Sequence, residues 1–318
     1  MSGTTPRAAR STSRALLALP AALALVLTGC GGSSSDDDAA AAPSSSGDAF
    51  PVTVTGDDGE LTLDEAPENI VSMSPTATEM LFAIGAGDQV EAADSYSTYP
   101  EEAPDTELSS FTPNAEAIAG YSPDLVVLSD DLNGIVDALD ALSVPTLLLG
   151  AAEDLDESYA QIETLGQATG HTEEAAEVVA DMQQRIETAV ASVPAEAEGL
   201  RVYHELDPSF YSVTSGTFIG SVYSLFGLEN VADAAPDAAG GYPQLSAEYV
   251  VGQAPDLIVL ADTKCCGESA ATVAERPAFG SVPAVQQGRI VEGDDDIASR
   301  WGPRVADFAE QIAAALQG

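Results

Sequence analysis

Short apolar runs alternate with segments of helical periodicity along most of the chain. The runs fall at residues 70–73, 125–128, 146–149, 202–206, 257–260 and 289–291. Runs of this length between helical segments are typical of parallel strands that are joined by crossover helices and buried on both faces. The pattern predicts an α/β fold with mostly parallel sheets, which bind ligands at the carboxyl ends of their strands.

Two further patterns predict a hairpin before these strands and a long helix in the middle of them. Residues 50–63 alternate apolar and polar positions around an Asp57-Asp58-Gly59 turn, which predicts a β-hairpin. Residues 172–193 carry apolar side chains at three- and four-residue spacing, with Pro194 as the stop signal. At 1.5 Å per residue this helix is about 33 Å long, which is enough to connect two lobes.

A partial internal repeat relates the two sides of this helix. Residues 114–130 match residues 246–262 at a constant offset of 132, including Pro123 and Pro255 directly before the strand. We therefore predict two equivalent lobes, at residues 50–171 and 194–318, with a cleft between their strand ends. Residues 172–193 form the interlobe helix.

The N-terminus has the pattern of an export signal. Three arginines within the first fourteen residues precede an apolar run at residues 15–27, which is too short for a permanent membrane span. Leu27-Thr28-Gly29-Cys30 resembles the bacterial lipobox. We predict a signal peptide at residues 1–29, a lipidated Cys30 and a solvated tether over residues 30–49.

The charge balance excludes one class of partner. The 318 residues include 52 acidic and 10 basic side chains, a net charge of -42. Binding to nucleic acid needs lysines and arginines that displace counterions from phosphates, so nucleic acid is excluded. The acidic surface also disfavours contact with anionic lipids. We expect attachment to the outer face of the cytoplasmic membrane through Cys30 alone.

Several segments in a fixed order resemble the cobalamin/iron-siderophore family of periplasmic substrate-binding proteins that serve ABC importers. They are residues 70–85 (Ile-Val-Ser-Met-Ser-Pro-Thr-Ala-Thr-Glu onward), both Glu-x6-Pro-Asp segments and residues 282–291. The resemblance covers residues 68–317. It implies two Rossmann-like lobes joined by one helix, little hinge closure, no catalysis, and a monomer that delivers its cargo to a permease dimer with its ATPase.

Glu116 and Glu248 occupy the same place in the two repeats. In the family that the chain resembles, an acidic residue on each lobe docks into basic pockets of the permease. Two equivalent carboxylates also suit a two-fold partner with two arginine clusters. Alternatively, each glutamate only stabilises the first turn of a helix.

Candidate cargo contacts are aromatic and hydrogen-bonding groups near strand ends. They are Ser74, Pro75, Thr76, Tyr96, Tyr99, Tyr211, Tyr242, Arg300 and Trp301. Thr76 and Glu79 are spaced as a capping box, so the helix start either binds an anionic group or is simply capped. Each tyrosine alone could equally be a packing residue, so the evidence for a ligand site is that several of them occur near strand ends.

Residues 294–304 contain Trp301, the only tryptophan of the chain. Trp301 could stack on cargo while Arg300 or Arg304 pairs with its anionic groups. Alternatively, the arginines are partners of the nearby aspartates and Trp301 fills a gap between helix and sheet. The residues leave both interpretations open.

Metal chemistry has little support. Cys265 and Cys266 are adjacent, so they form a vicinal disulfide, which we favour, or remain thiols or soft metal ligands. With only His171 and His204 available, a transition-metal cage is disfavoured, and we expect no resident metal or cofactor.

The sequence thus predicts an exported, lipid-anchored receptor for a cobalt corrinoid or a Fe(III) chelate, with the corrinoid favoured. Haem is disfavoured because no His or Tyr is clearly placed as an axial ligand. An exported α/β hydrolase is the enzymatic alternative, but the common hydrolase and nucleotide-binding motifs are missing. A structural or adhesion lipoprotein is the third possibility.

Overall fold

The computed structural model describes residues 50–236 and 239–317. The predicted signal peptide, Cys30 and the tether at residues 30–49 lie outside the described residues. Within these ranges, no helix combines the length and the apolar content that crossing a membrane requires.

The described residues begin with the predicted hairpin. Strands β1 (Val52–Gly56) and β2 (Gly59–Leu63) pair antiparallel, with Val52 opposite Leu63. Gly59 has a φ of +128°, a conformation that side chains with a Cβ rarely adopt. The turn is fixed to the neighbouring sheet, since the amides of Gly150 and Leu148 donate to the carboxylates of Asp57 and Asp58.

The N-terminal half contains a parallel sheet of four strands. They are β3 (Ile70–Met73), β4 (Val90–Ala93), β5 (Leu125–Leu128) and β6 (Thr146–Leu148), in the spatial order β4-β3-β5-β6. The helices of this half are α1 (Pro75–Ala83), α2 (Ala115–Ala119), α3 (Ile135–Asp140) and α4 (Leu155–Thr169).

The C-terminal half contains a second parallel sheet of four strands. They are β7 (Arg201–Glu205), β8 (Glu229–Asn230), β9 (Leu257–Leu260) and β10 (Ile290–Glu292), in the order β10-β9-β7-β8. Its helices are α6 (Phe218–Leu225), α7 (Ala247–Gln253), α8 (Thr263–Cys266), α9 (Ala270–Glu275), α10 (Pro283–Gln287) and α11 (Val305–Gln317).

The sequence repeat has a direct structural counterpart. In each sheet, the first strand along the chain lies between the second and the third, and the fourth follows at the edge. Ile70 pairs with Leu125 in the first sheet, and Val202 pairs with Leu257 in the second. Each pair is displaced from its counterpart by the same 132 residues. The two halves therefore share topology and register.

The aspartate of each Pro-Asp segment ties two strands together. The amides of Glu68 and Asn69 donate to the carboxylate of Asp124 at 2.9 and 3.0 Å. In the second half, the amide of Arg201 donates to Asp256 at 3.0 Å. Because these amides open the first strand of each sheet, the repeated aspartate fixes where that strand starts relative to the third.

The apolar core runs through both halves. One face of each sheet packs on a layer that contains α4, α6, α11 and the long helix α5 (Thr172–Ser192), and these side chains form one continuous cluster. Ile70 and Val202 belong to it, whereas their neighbours Val71 and Tyr203 face two separate clusters on the outer faces. The predicted interlobe helix forms, and it packs against α4 and α11.

Two strands were missing from the sequence-based prediction. Strand β4 reads Val-Glu-Ala-Ala, which has low strand propensity, and β8 contains only Glu229 and Asn230. Both are edge strands that pair with a preformed neighbour. Tertiary pairing, rather than local pattern, therefore defines them.

Replacement of Asp124 tests the strand tie. Asp124→Ala leaves two strand amides without their acceptor and should lower the free energy of unfolding by about 1 kcal/mol, since the site is exposed and water partly compensates. Urea unfolding followed by circular dichroism measures this free energy of unfolding. Asp105→Ala, at an exposed aspartate with no side-chain hydrogen bond among the described residues, should change it by less than about 0.5 kcal/mol.

Candidate functional site

A cavity of about 420 Å³ lies at the carboxyl ends of the strands of the first sheet. Its lining comes from the segments that follow β3, β4, β5 and β6, and from a segment between β10 and α11. The lining residues are Ser74, Pro75, Thr76, Tyr96, Ser110, Phe111, Ser129, Asp130, Leu132, Ala151, Ser299, Arg300 and Trp301. We call this space the interlobe cavity, since both halves of the chain contribute to it.

The start of α1 forms one wall of the cavity. The hydroxyl of Ser74 accepts a hydrogen bond from the amide of Ala77 at 3.2 Å, so Ser74 is the N-cap of the helix. The expected capping box of Thr76 and Glu79 is wrong, because Pro75 takes the first helical position and the cap is Ser74, two residues earlier. Glu79 is thereby free for another role.

An aromatic pair forms the second wall. The rings of Tyr96 and Phe111 meet edge to face, with centroids 5.1 Å apart, and are 51% and 65% exposed. Buried Asp94 holds both loops in place, since it accepts hydrogen bonds from the hydroxyls of Ser97 (2.8 Å) and Ser110 (2.6 Å). Flat apolar rings that remain exposed beside polar groups suit a large planar ligand.

Sequence reasoning missed Phe111. It lies well beyond the end of β4, in a loop that no strand pattern marks. In the sequence, the available signal is an aromatic residue between two hydroxyl residues, Ser110 and Thr112. That signal indicates a ligand contact only when the structure shows that Asp94 binds Ser110 and holds Phe111 beside Tyr96.

Arg300 and Trp301 line the cavity from the opposite side and also have internal partners. Arg300 donates to Glu79 at 2.9 Å, to Asp296 at 2.7 Å and to the carbonyl of Tyr96 at 3.1 Å. The indole N–H of half-buried Trp301 donates to Gln161 at 2.8 Å, and its carbonyl accepts from Ser158. The internal partners of Arg300 and Trp301 are thus observed, and both side chains also remain in the cavity lining, where contact with cargo stays a prediction.

Three predicted contacts lie elsewhere. The ring of Tyr99 lies beneath the guanidinium of Arg304, and the distance from its centroid to Cζ of Arg304 is 4.0 Å. Tyr99 lines a second cavity of about 530 Å³. Tyr211 lies in the loop after β7 and Tyr242 in the segment between β8 and α7, and these two segments meet where the backbone of Tyr211 pairs with Gln244. Neither tyrosine lines the interlobe cavity.

The corresponding end of the second sheet is filled by an ion network. Arg276 binds Glu205 through two N–H groups, at 2.7 and 2.5 Å, and also binds Glu268 at 2.7 Å. The hydroxyl of Tyr203 donates to Glu205, and the rings of Phe210 and Phe279 flank the guanidinium. The two equivalent strand ends have thus diverged, and the open cavity lies on the first sheet.

Asp262 shows this divergence most clearly. By the repeat it corresponds to Asp130, which is exposed in the interlobe cavity. Asp262 is fully buried, and neither carboxylate oxygen has a hydrogen-bond partner among the described residues. Burial, reinforced by the negative charges of Glu205 and Glu268, raises the pKa of Asp262 from its ordinary 3.8 to about 7.

Both histidines and the two cysteines of the described residues lie outside the cavity. His204 is buried against the hydroxyl of Tyr223 at 2.6 Å, and burial lowers its pKa to about 3. His171 precedes α5 and lies near Thr169. Cys265 and Cys266 are exposed on α8 and joined by a vicinal disulfide. Within residues 50–236 and 239–317, no group of three or more His, Cys, Asp or Glu side chains is arranged to hold a metal.

Glu116 and Glu248 are the second residues of α2 and α7. Asn114 and Ser246 cap these helices by accepting hydrogen bonds from Ala117 and Tyr249. Both glutamates are exposed, and neither has an ion-pair partner in the described part of the chain. They therefore occupy equivalent, accessible positions on the two halves, outside the cavity lining.

The raised pKa of Asp262 predicts a pH-dependent stability. Because the folded-state pKa lies above the ordinary value, folding favours the protonated acid. This contribution is complete below about pH 4 and is lost as the pH rises through about 7. Asp262→Asn should therefore match the wild type at pH 4 and raise the melting temperature at pH 9 by about 3 °C or more.

The control for this prediction comes from the repeat. Asp130→Asn changes the exposed counterpart and should leave the profile of melting temperature against pH unchanged. Calorimetry from pH 4 to 9 measures both variants. If Asp262→Asn changed the melting temperature equally at pH 4 and pH 9, the prediction that burial raises the pKa of Asp262 would be contradicted.

Comparisons with known proteins place this fold in a family. The periplasmic binding protein family matches residues 70–297. The substrate-binding lipoprotein YvrC of Bacillus subtilis, named as belonging to an uncharacterised ABC transporter, is 29% identical over 92% of this chain and 93% of its own. The vitamin B12-binding protein of Pectobacterium atrosepticum is 30% identical over 79% of this chain and 88% of its own.

Two solved structures share the fold. The periplasmic vitamin B12-binding protein BtuF of Vibrio cholerae is 25% identical, with a TM-score of 0.66 over 79% of this chain and 97% of its own. The periplasmic haem-binding protein HutB of Vibrio cholerae is 22% identical, with a TM-score of 0.69 over 79% of this chain and 99% of its own. The predicted pair of Rossmann-like parallel sheets with a long connecting helix is thereby confirmed. The chain belongs to the periplasmic binding protein family, whose members bind solutes and catalyse no reaction.

Proposed function

We propose that this protein captures a cobalt corrinoid outside the cytoplasmic membrane and delivers it to an ABC permease and its ATPase. The observation that carries the proposal is the interlobe cavity, where Tyr96, Phe111 and Trp301 provide flat walls and hydroxyl groups provide polar edges. A bulky planar chelate with amide groups at its rim matches such a lining.

Charge favours a corrinoid over an anionic chelate. Arg300 is the only base of the described cavity lining, and it is already bound to Glu79 and Asp296. A ferric catecholate or the propionates of haem would need cations that are free to pair. A corrinoid carries little net charge and needs no free cation in the cavity. The names of the B12-binding relatives agree with this choice.

Haem is the second candidate, and one observation favours it. Tyr96 lies in the cavity lining with its side chain half exposed, and a tyrosine oxygen can serve as an axial ligand to haem iron. The sequence had not singled out any residue for that role. The likeness to the haem-binding HutB, at 22% identity, concerns the fold alone.

The location follows from the N-terminal pattern. We propose that the chain is exported and held at the outer face of the cytoplasmic membrane by a lipid on Cys30, where it acts as a monomer. The lipobox-like Leu27-Thr28-Gly29-Cys30 and the lipoprotein nature of YvrC support this placement.

Titration of the full chain in detergent tests the cargo. Isothermal calorimetry with cobalamin should give saturable one-to-one binding, and Tyr96→Ala should weaken it about tenfold because one aromatic wall is lost. The emission of Trp301 should fall during the same titration, after correction for absorption by the corrinoid.

Tyr242→Ala is the matched control, since Tyr242 is as exposed as Tyr96 but lies outside the cavity. It should leave the affinity unchanged. Stronger binding of haemin than of cobalamin would favour the second candidate. The absence of measurable binding to cobalamin, haemin and a ferric siderophore would contradict the proposal.

We propose that Glu116 and Glu248 dock the two halves onto the permease. Each is an exposed carboxylate without an internal ion pair among the described residues, at the same position of equivalent helices. Carboxylates presented in this way suit two arginine clusters of a two-fold partner. Helix stabilisation alone remains the competing explanation.

Charge reversal separates these explanations. The double variant Glu116→Lys and Glu248→Lys should reduce cargo uptake by cells at least about tenfold while cargo affinity stays unchanged, because like charges would oppose at the interface. Reversal of two exposed glutamates on other helices, Glu163→Lys and Glu173→Lys, should preserve uptake. Loss of affinity in the first variant would instead indicate that these residues reach the cargo.

A further inference from the structure

A buried carboxylate lies directly behind the interlobe cavity. The side chain of Glu79, on α1, is 2% exposed. Arg300 donates to one of its oxygens at 2.9 Å, and Arg304 donates to both, at 2.9 Å through its Nε. The two arginines come from the segment after β10, and their side chains are 13% and 14% exposed. Glu79 therefore joins the two halves of the chain through ion pairs.

These pairs determine the charge that the cavity presents. Arg300 lies in the cavity lining, whereas Arg304 faces the second cavity with Tyr99 and Glu102. Asp296 is the second carboxylate bound to Arg300, at 2.7 Å. Arg300 thus has two carboxylate partners at the surface that meets the cargo, and they reduce its attraction for an anion.

We propose that Glu79 is a specificity-determining residue, which excludes anionic chelates by neutralising Arg300 without touching the cargo. This inference rests on the proposed function and names the feature that selects among metal chelates. A freed guanidinium in a partly enclosed site would attract carboxylates and catecholates, because charge interactions are strong where water is sparse. With Glu79 in place, the cavity favours cargo of low net charge.

The geometry separates this electrostatic role from simple scaffolding. Trp301 has its own anchors, since its indole donates to Gln161 at 2.8 Å and its carbonyl accepts from buried Ser158. These bonds do not involve Glu79. The aromatic wall should therefore persist when the charge of Glu79 is removed, and the change should appear in selectivity.

The test compares the wild type with Glu79→Gln, which keeps the shape of the side chain and removes its charge. Calorimetry on the full chain in detergent should show haemin and a ferric tricatecholate binding about tenfold more tightly, while cobalamin binds equally or less well. The gain should shrink as salt is raised from 0.05 to about 0.5 M, since screening weakens it. A scaffolding role would weaken all ligands together.

Three variants serve as controls. Glu79→Asp keeps the charge and should keep the wild-type preference. Glu79→Gln with Arg300→Gln removes the freed cation and should reverse the gain. Glu102→Gln removes an exposed charge near Arg304 that has no ion pair among the described residues, and it should change nothing.

The outcomes distinguish this inference from the proposed function. If wild type binds none of the chelates, the proposed function is wrong. If wild type binds cobalamin and Glu79→Gln leaves the order of preference unchanged, only the inference is overturned. Should thermal melting show that Glu79→Gln does not fold, Asp296→Asn frees Arg300 from its other partner and must shift preference in the same direction.

Discussion

The pairing of one buried carboxylate with two arginines joins the two halves of the chain beside the interlobe cavity. Glu79 belongs to the first half of the chain, and Arg300 and Arg304 belong to the second. Removing a buried charge from such a cluster leaves its partners uncompensated, which costs far more than an exposed pair contributes. The pairs therefore tie α1 to Arg300 and Arg304, while Trp301 between them keeps its own hydrogen bonds to Gln161 and Ser158. These ion pairs join the two halves in addition to the shared apolar layer.

The same principle extends over the molecule. In a chain with 52 acidic and 10 basic residues, most bases of the described part are internal counterions. Those with ion pairs are Arg185, Arg201, Lys264, Arg276, Arg300 and Arg304. The positive charges thus join elements of the fold, and most acidic side chains of the described part are exposed. Such a protein presents carboxylates to its partners and little positive charge to its cargo, which agrees with a basic docking site and a weakly charged ligand.

The two halves illustrate how a duplicated scaffold diverges. Their strand order, register and strand-tying aspartates are equivalent. Their strand ends are not, because the first sheet ends at an open cavity and the second at the buried network of Glu205 and Arg276. Asp130 and Asp262 occupy the same place in the repeat, yet the first is exposed and the second is buried with no hydrogen-bond partner for its carboxylate in the described part of the chain. The scaffold is conserved between the halves, while the side chains above it decide which half has the open cavity.

Periodicity and a constant spacing of 132 residues predicted six of the eight parallel strands, the long helix and the duplication, since these are local and repeated signals. Six of the residues predicted to contact cargo line the interlobe cavity, namely Ser74, Pro75, Thr76, Tyr96, Arg300 and Trp301, and their contact with cargo stays a prediction. Only the tertiary structure separated Tyr99, Tyr211 and Tyr242 from the cavity, brought Phe111 into it, and turned Glu79 from an expected cap into an ion-pair centre. These facts depend on contacts between residues up to 225 positions apart, and no local pattern encodes such contacts.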